Sequence, residues 1–502
     1  MRCKRLTAVG ETVAFLILFL GFPWSIKATS TEAELVGSTQ SIVSAKENSA
    51  RNICPSQLPE AIDAIVDRPE HRRLYWGILI QRLSPSRPLY TRNAQQYFIP
   101  ASNVKLFTTA AALLQLGSEF RIRTSVYGKD GILRLVGRGD PSLTNAQLQD
   151  LAQQLHRQGI RQIQQLIVQD GYFQGLSHHP TWEWEDVYAD YGAPINSLIL
   201  NQNLVELQLS PQALGEPVKI TWTDPLAAWQ WQIENQTLTE ISGAKSAFEV
   251  NGILGKPSLQ IRGQMAIDSP SQVLSIPVRT PGEHFLQHFK LALIKEGITV
   301  AQSQVINSTE QVKEPELAFV ESPPLSQLIT DINQPSNNLY AEALLRTLGV
   351  NNSPINNQDT ATAGLNLIQT KLSNLGVDRG SFILVDGSGL SRRNLVSPES
   401  IVQTLQVISR SPQGEIYLTS LPIAGISGTL RNRFKDSPAM GIIYAKTGTL
   451  TGVVTLSGYV DTPNYERLVF SIMVNQSDKP TRIIRNAIDE IVLLLTQLKR
   501  CE

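Results

Sequence analysis

Residues 98–117 read FIPASNVKLFTTAAALLQLG, and they set a hydroxyl and an amine inside an otherwise apolar stretch. Pro100 suits a first helical turn and Gly117 a C-terminal stop, so the spacing predicts a helix that opens near Ser102. Val104, Leu106, Phe107 and Ala110 to Leu114 are apolar on nearly every face, the pattern of a helix buried at the centre of a domain. Residues three apart share a helix face, which lets the Lys105 amine reach the Ser102 hydroxyl. Burial disfavours an ammonium, so such a lysine becomes a base near neutral pH. The helix N-terminus adds free backbone N–H groups and the positive end of a dipole. A hydroxyl, an adjacent base and donors for a developing oxyanion are the parts of an activated nucleophile.

The S-x-x-K spacing alone is weak, because SGAK puts Ser242 and Lys245 at the same separation among strand-like neighbours. Two further motifs raise its weight. QPSNNLYAEALLRTLG (334–349) carries Ser336, Asn337 and Asn338, the chain's one S-x-N, just before a predicted helix. Taken alone, Ser336 also fits a helix N-cap. YAKTGTLTG (444–452) carries the chain's one K-T-G, Lys446, Thr447 and Gly448, on a predicted strand.

Around these motifs the chain is organised in blocks. A basic start, the apolar run VAFLILFLGFPW and a small-residue tail give residues 1–29 the layout of a secretory signal peptide, with an uncleaved N-terminal anchor as the alternative, followed by a polar spacer at 30–50. EAIDAIVD reads as a short amphipathic helix and LYWGILIQRL as a strand. Near the C-terminus GIIYAKTG, GVVTLSGYV and RLVFSIMVNQ read as antiparallel neighbours, and residues 481–500 as a strongly periodic helix. The two terminal helices are expected to cover one face of that sheet. Cys54 and Cys501 then lie near each other, either as one disulfide or as two free thiols. Residues 120–279 have the texture of short strands and turns and read as a β-rich insertion between catalytic parts at 51–119 and 280–502.

With 502 residues, 42% of them hydrophobic, the chain can build more than one core. Lys plus Arg and Asp plus Glu both total 44, so no overall field favours nucleic acid, and the tryptophans lack an interleaved basic pattern. His284 and His288 stand four apart without an H-E-x-x-H, and a solvated helix face is the expectation for them. His178 and His179 fall in a polar loop.

In this order, S-x-x-K, S-x-N and K-T-G resemble the signature of serine β-lactamases and penicillin-binding proteins. Some 230 residues separate the first two motifs and about 110 the last two. A gap that large after the first motif is similar to the class C low-molecular-mass penicillin-binding proteins, the D-alanyl-D-alanine carboxypeptidases and endopeptidases of family S13. GRGDPSL (137–143), WEWED (182–186), YGAPINSLILNQN (191–203), DGSGLSRRN (386–394) and GTLRNRF (428–434) agree with that family. The resemblance implies an α+β fold: an antiparallel sheet flanked by helices, a helical subdomain and a large β-rich insertion beside the cleft. It implies Ser102 as the acylated nucleophile and Lys105 as its base, with Ser336 and Asn338 in the proton relay. Lys446 and Thr447 bind the substrate carboxylate, Gly448 permits close approach, and the N–H groups of Ser102 and Thr449 form the oxyanion hole. Asp186 is implied as a contact for a cationic amine on the substrate, beside the plainer reading of a turn-capping aspartate. Arg433 and Asp386 are expected in loop-stabilising ion pairs.

The implied partners are peptidoglycan stem peptides and β-lactams, outside the cytoplasmic membrane, with peripheral association to membrane or cell wall and no role for nucleic acid. The implied reaction requires no metal ion and no cofactor. A β-lactamase or esterase of the same superfamily, and a non-catalytic binder of peptidoglycan or β-lactams, are the alternatives.

Overall fold

The computed structural model describes residues 52–352 and 359–501; the signal peptide and spacer read from residues 1–50 lie outside them. A five-stranded antiparallel sheet runs in the order Ile443–Leu450, Val453–Val460, Leu468–Asn475, Tyr75–Arg82, Arg87–Arg92. Val453–Val460 and Leu468–Asn475 are buried at every position because helices cover both faces, and their polar residues Thr455, Ser457, Ser471 and Asn475 are hydrogen-bonded within the interior.

On one face lie the helices Leu58–Val66 and Thr481–Thr496, whose Leu58, Ile62, Ile488 and Ile491 share a core with Ile78 and Leu456 of the sheet. Their arrangement brings the chain ends together, and Cys54 and Cys501 form a disulfide with their Cα atoms 5.7 Å apart. On the other face lies the helix Val104–Leu116, buried from Val104 through Leu113. Five helices surround it: Leu325–Asn333, Asn338–Asn352, Thr360–Asn374, Pro398–Ser409 and Gly414–Ser420. This is the all-round apolar helix that the sequence implied, with Ser102 in the 3₁₀ turn Ala101–Asn103 that opens it.

The insertion holds two further cores. One is a mixed sheet in the order Thr299–Ile306, Gln162–Gln169, Ile132–Val136, Arg123–Lys129, Glu316–Glu321, packed against the helices Asn145–Arg157 and Pro281–Lys295. The other is a small β unit of two three-stranded sheets around Leu207, Leu209, Leu259 and Ile261. The return to the catalytic part expected at residue 280 therefore moves to about 322. Glu316–Glu321 pairs with Arg123–Lys129, so the chain leaves and re-enters the catalytic part on adjacent strands. Periodicity over 282–298 identified the helix but carries no record of which core it packs on.

A second correction concerns His284 and His288. Both are buried, at 2% and 8% exposure, with ring centroids 4.4 Å apart. The helix that carries them turns this edge toward the small β unit instead of toward solvent. Among the described residues no helix is long and apolar enough to cross a membrane.

Candidate active site

The turn that carries Ser102 is fastened to the sheet from below. Asn475 holds both backbone groups of Ile99, accepting from its N–H at 2.7 Å and donating to its carbonyl at 3.1 Å. Thr455 donates to the Pro100 carbonyl at 3.0 Å, and Asn103 donates to Ser457 at 2.8 Å. Ala101 is held at φ 48°, an uncommon conformation for a residue with a side chain. These ties over-determine the backbone that aims the serine.

Lys105 is fully buried, and its Nζ lies 3.1 Å from Ser102 Oγ, 2.6 Å from Asn338 Oδ1 and 2.7 Å from the Ser388 carbonyl. Burial lowers its pKa to about 7, with Asp386 and Glu342 opposing the shift. The amine is thus held near half protonation at neutral pH, directed at the serine by two acceptors.

Ser388 and its loop were legible as a family motif but not as part of this site. Glu342, on the helix that follows S-N-N, accepts from the N–H groups of Gly387 and Ser388 at 2.9 and 2.8 Å. Burial, with Asp386 nearby, raises the Glu342 pKa to about 7. Among the described residues Asp386 makes no ion pair; it accepts from Trp182 Nε1 at 3.0 Å, Gly389 N–H at 2.8 Å, Ser391 N–H at 2.6 Å and Asn394 Nδ2 at 2.8 Å. It is a staple for the loop that backs Lys105. Gly389 has φ +87°, and a Cβ there would stand 1.9 Å from the Ala101 carbonyl, so the loop presses directly on the serine turn. Arg433 does form the expected ion pair, with Asp489.

The S-N-N loop comes in from the helical side. Asn338 begins its helix, with Oδ1 toward Lys105 and Nδ2 donating to the Tyr191 carbonyl at 3.0 Å. The N-cap role considered for Ser336 falls to Asn337, whose Oδ1 accepts from Tyr340 N–H at 3.1 Å. Asn337 Nδ2 also donates to Gln202 at 2.6 Å, so the insertion braces this loop through both asparagines. Ser336 is half-buried at φ 67°, at the start of that loop.

Lys446, Thr447, Gly448 and Thr449 lie on Ile443–Leu450, the outermost strand of the sheet on the serine side. A Cβ at Gly448 would stand 2.7 Å from the Pro100 carbonyl and 2.2 Å from Thr455 Oγ1, so only glycine lets the strand approach the serine turn this closely. Lys446 is fully buried, and burial together with the nearby Lys105 drives its pKa well down. Thr447 donates to Thr429 of GTLRNRF at 2.8 Å, a contact the sequence reading did not foresee. Thr449 is exposed at the mouth. Asp186 is buried in the 3₁₀ turn Asp186–Tyr188, and its Oδ2 accepts from Glu183 N–H at 3.1 Å.

A serine beside a buried lysine, a serine–asparagine loop and a lysine–threonine edge strand on an α+β scaffold define a serine acyl-transfer enzyme of the penicillin-recognising kind. The D-Ala-D-Ala carboxypeptidase 3 (S13) family matches residues 58–497, and the chain belongs to that family. It is a hydrolase. The D-alanyl-D-alanine carboxypeptidase of Actinomadura sp. (strain R39) is 32% identical to it over 448 residues, covering 85% of this chain and 82% of that protein. Penicillin-sensitive carboxypeptidase A of Dictyostelium discoideum is 30% identical over 465 residues, covering 84% and 87%. The crystal structure of penicillin binding protein 4 from Haemophilus influenzae matches with a TM-score of 0.75 at 25% identity, covering 88% of this chain and 99% of that one.

Proposed function

We propose that the chain removes the terminal D-alanine of peptidoglycan stem peptides through an acyl-enzyme on Ser102, and that penicillins block it by acylating the same oxygen. The observation that carries this reading is the buried Lys105 amine 3.1 Å from Ser102 Oγ. The neutral amine takes the serine proton as Oγ bonds to the penultimate D-alanyl carbonyl carbon. The C–N bond to the last D-alanine then breaks, and the departing nitrogen takes a proton relayed through Ser336 and the Lys105–Asn338 pair. Water adds to the ester, the shortened peptide leaves as a carboxylate, and Ser102 regains its proton. The N–H groups of Ser102 and Thr449 receive the oxyanion. Lys446 and Thr447 receive the terminal carboxylate, and Gly448 allows the strand to lie close enough to do so.

For Asp186 the capping reading is the better supported, since its carboxylate already serves the Glu183 backbone and the Tyr191 hydroxyl. We assign it to positioning Tyr191, whose carbonyl holds Asn338. Export through residues 1–29 would deliver the enzyme to peptidoglycan outside the cytoplasmic membrane, and the Cys54–Cys501 disulfide fits an oxidising compartment.

Fluorescent penicillin should label the wild-type chain one to one and leave a folded Ser102→Ala variant unlabelled. D-Alanine should be released from a stem pentapeptide. Fast loss of the penicillin adduct would favour a β-lactamase, and labelling without D-alanine release would favour a binder. Mass analysis of digested peptidoglycan separates carboxypeptidase products from cleaved crosslinks.

A further inference from the structure

The insertion holds a second cluster of chemically capable side chains, built from elements that the proposed reaction does not use. His284 and His288 lie one helical turn apart on Pro281–Lys295 and face the same way. Asp224 comes from the small β unit, where it caps the turn Pro225–Gln230 by accepting from Leu226 N–H through Oδ1 at 2.9 Å. Its other oxygen, Oδ2, stands 2.9 Å from His288 Nε2. One ligand-capable atom from each of the three residues lies within 4.8 Å of the others.

A His–Asp hydrogen bond would explain Asp224 and His288. It does not explain a second buried imidazole with its centroid 4.4 Å away and Nε2 left without any partner among the described residues. Buried polar atoms are almost always satisfied, so an orphan imidazole nitrogen in a cluster with a carboxylate and a second imidazole marks a place for a further partner, and a cation suits this donor set. Gln230 Oε1 accepts from the N–H groups of Arg279 and Thr280, which turns its amide nitrogen toward His284 Nδ1 at 3.4 Å; coordination through Nε2 gives up this long contact and moves the ring proton to Nδ1. In that tautomer Nε2 presents its lone pair. Two imidazoles and one carboxylate are a ligand set for a divalent transition metal, with bonds of about 2.0–2.2 Å that need ligand atoms roughly 3–4 Å apart. The cluster borders a cavity of about 720 Å³, so water can reach the remaining coordination position. Glu206 adds a carboxylate to the cavity wall and Lys295 an opposing cation.

We propose that Asp224, His284 and His288 bind one Zn²⁺-like divalent cation, which clips the helix Pro281–Lys295 to the small β unit and so fixes the two cores of the insertion to each other. The protein for the test is the untagged chain, stripped with a chelator and titrated with Zn²⁺ against a chromophoric competitor. One equivalent should bind, and saturation should raise the thermal midpoint by several degrees. Co²⁺ should give the visible absorption of a low-coordinate site. His284→Gln and His288→Gln should each weaken binding at least tenfold while the metal-free melting curve stays cooperative. Gln230→Glu, which offers Nδ1–H an acceptor, should tighten it, an effect that a packing role for His284 would not produce. Absence of a bound equivalent in the wild-type chain overturns the proposal, as does equal binding by wild type and the double histidine variant. If the histidine variants do not fold, X-ray absorption of the wild-type Zn²⁺ complex decides: a metal shell without two imidazoles overturns it.

Discussion

The pH dependence of serine acylation tests the site at its most quantitative point. Burial brings the Lys105 pKa down to about 7, and only the neutral amine can accept the Ser102 proton. Protonation follows the ordinary titration curve, so about 9% of the amine is neutral at pH 6 and about 91% at pH 8. The second-order rate of acylation by a fluorescent penicillin, followed by stopped flow, should therefore rise about tenfold between pH 6 and 8 and flatten above. An unperturbed lysine would instead give a rise of about tenfold for every pH unit to beyond pH 9. Glu342 favours the charged amine, so Glu342→Gln removes a stabiliser of the ammonium and should move the bend to lower pH. A profile that climbs without bending to pH 9, or a bend that moves to higher pH in Glu342→Gln, refutes the assignment of Lys105 as the base.

Other perturbations probe the supports of the site. Gly448→Ala places a Cβ against the Pro100 carbonyl and Thr455, and overpacking of this kind costs about 1–3 kcal/mol; acylation should fall at least tenfold with a lowered thermal midpoint, read by labelling and calorimetry. Thr429→Val removes the hydroxyl that accepts from Thr447 and should raise KM for a stem peptide more than it lowers kcat, as steady-state D-alanine release would reveal. Cys54→Ser opens a covalent link between residues 447 positions apart, and chemical denaturation should report a loss of about 2–5 kcal/mol with acylation unchanged.

The central helix and the sheet could be read from sequence because their signals are local. Apolar residues on every face of 104–114 declare burial, and three strand runs with short turns declare antiparallel neighbours. The three motifs could be read because each places its chemistry within four residues. Glu342, Ser388 and Tyr191 could not be assigned in the same way. Each acts through a contact between segments distant in the chain, Glu342 by accepting from Ser388 N–H and Tyr191 by accepting from Asn338. Two of these groups, Ser388 and Tyr191, contribute a backbone carbonyl, which no side-chain pattern records. SGAK shows the converse. Its Ser242 bonds to Asp268 in an exposed turn, and the pattern carries nothing without the buried helix.

Two buried lysines in one cleft have different electrostatic companions, and that difference links recognition to chemistry. Lys105 has Glu342 and Asp386 nearby, whereas the neighbouring charge that acts on Lys446 is Lys105 itself. Both ammoniums are disfavoured by burial, and a charged Lys105 further disfavours a charged Lys446. In the free enzyme the pair thus resists carrying two protons, and the carboxylates near Lys105 hold the first one there. In the proposed reaction a substrate carboxylate arriving at Lys446 and Thr447 reverses the preference, because it stabilises the Lys446 ammonium at short range. With the one proton of the lysine pair held at Lys446, Lys105 is left in its neutral form. A substrate that lacks the terminal carboxylate should therefore lose acylation rate as well as affinity. Comparing a stem peptide with its C-terminal amide should show kcat falling together with kcat/KM, and an unchanged kcat would break the proposed link between the two lysines.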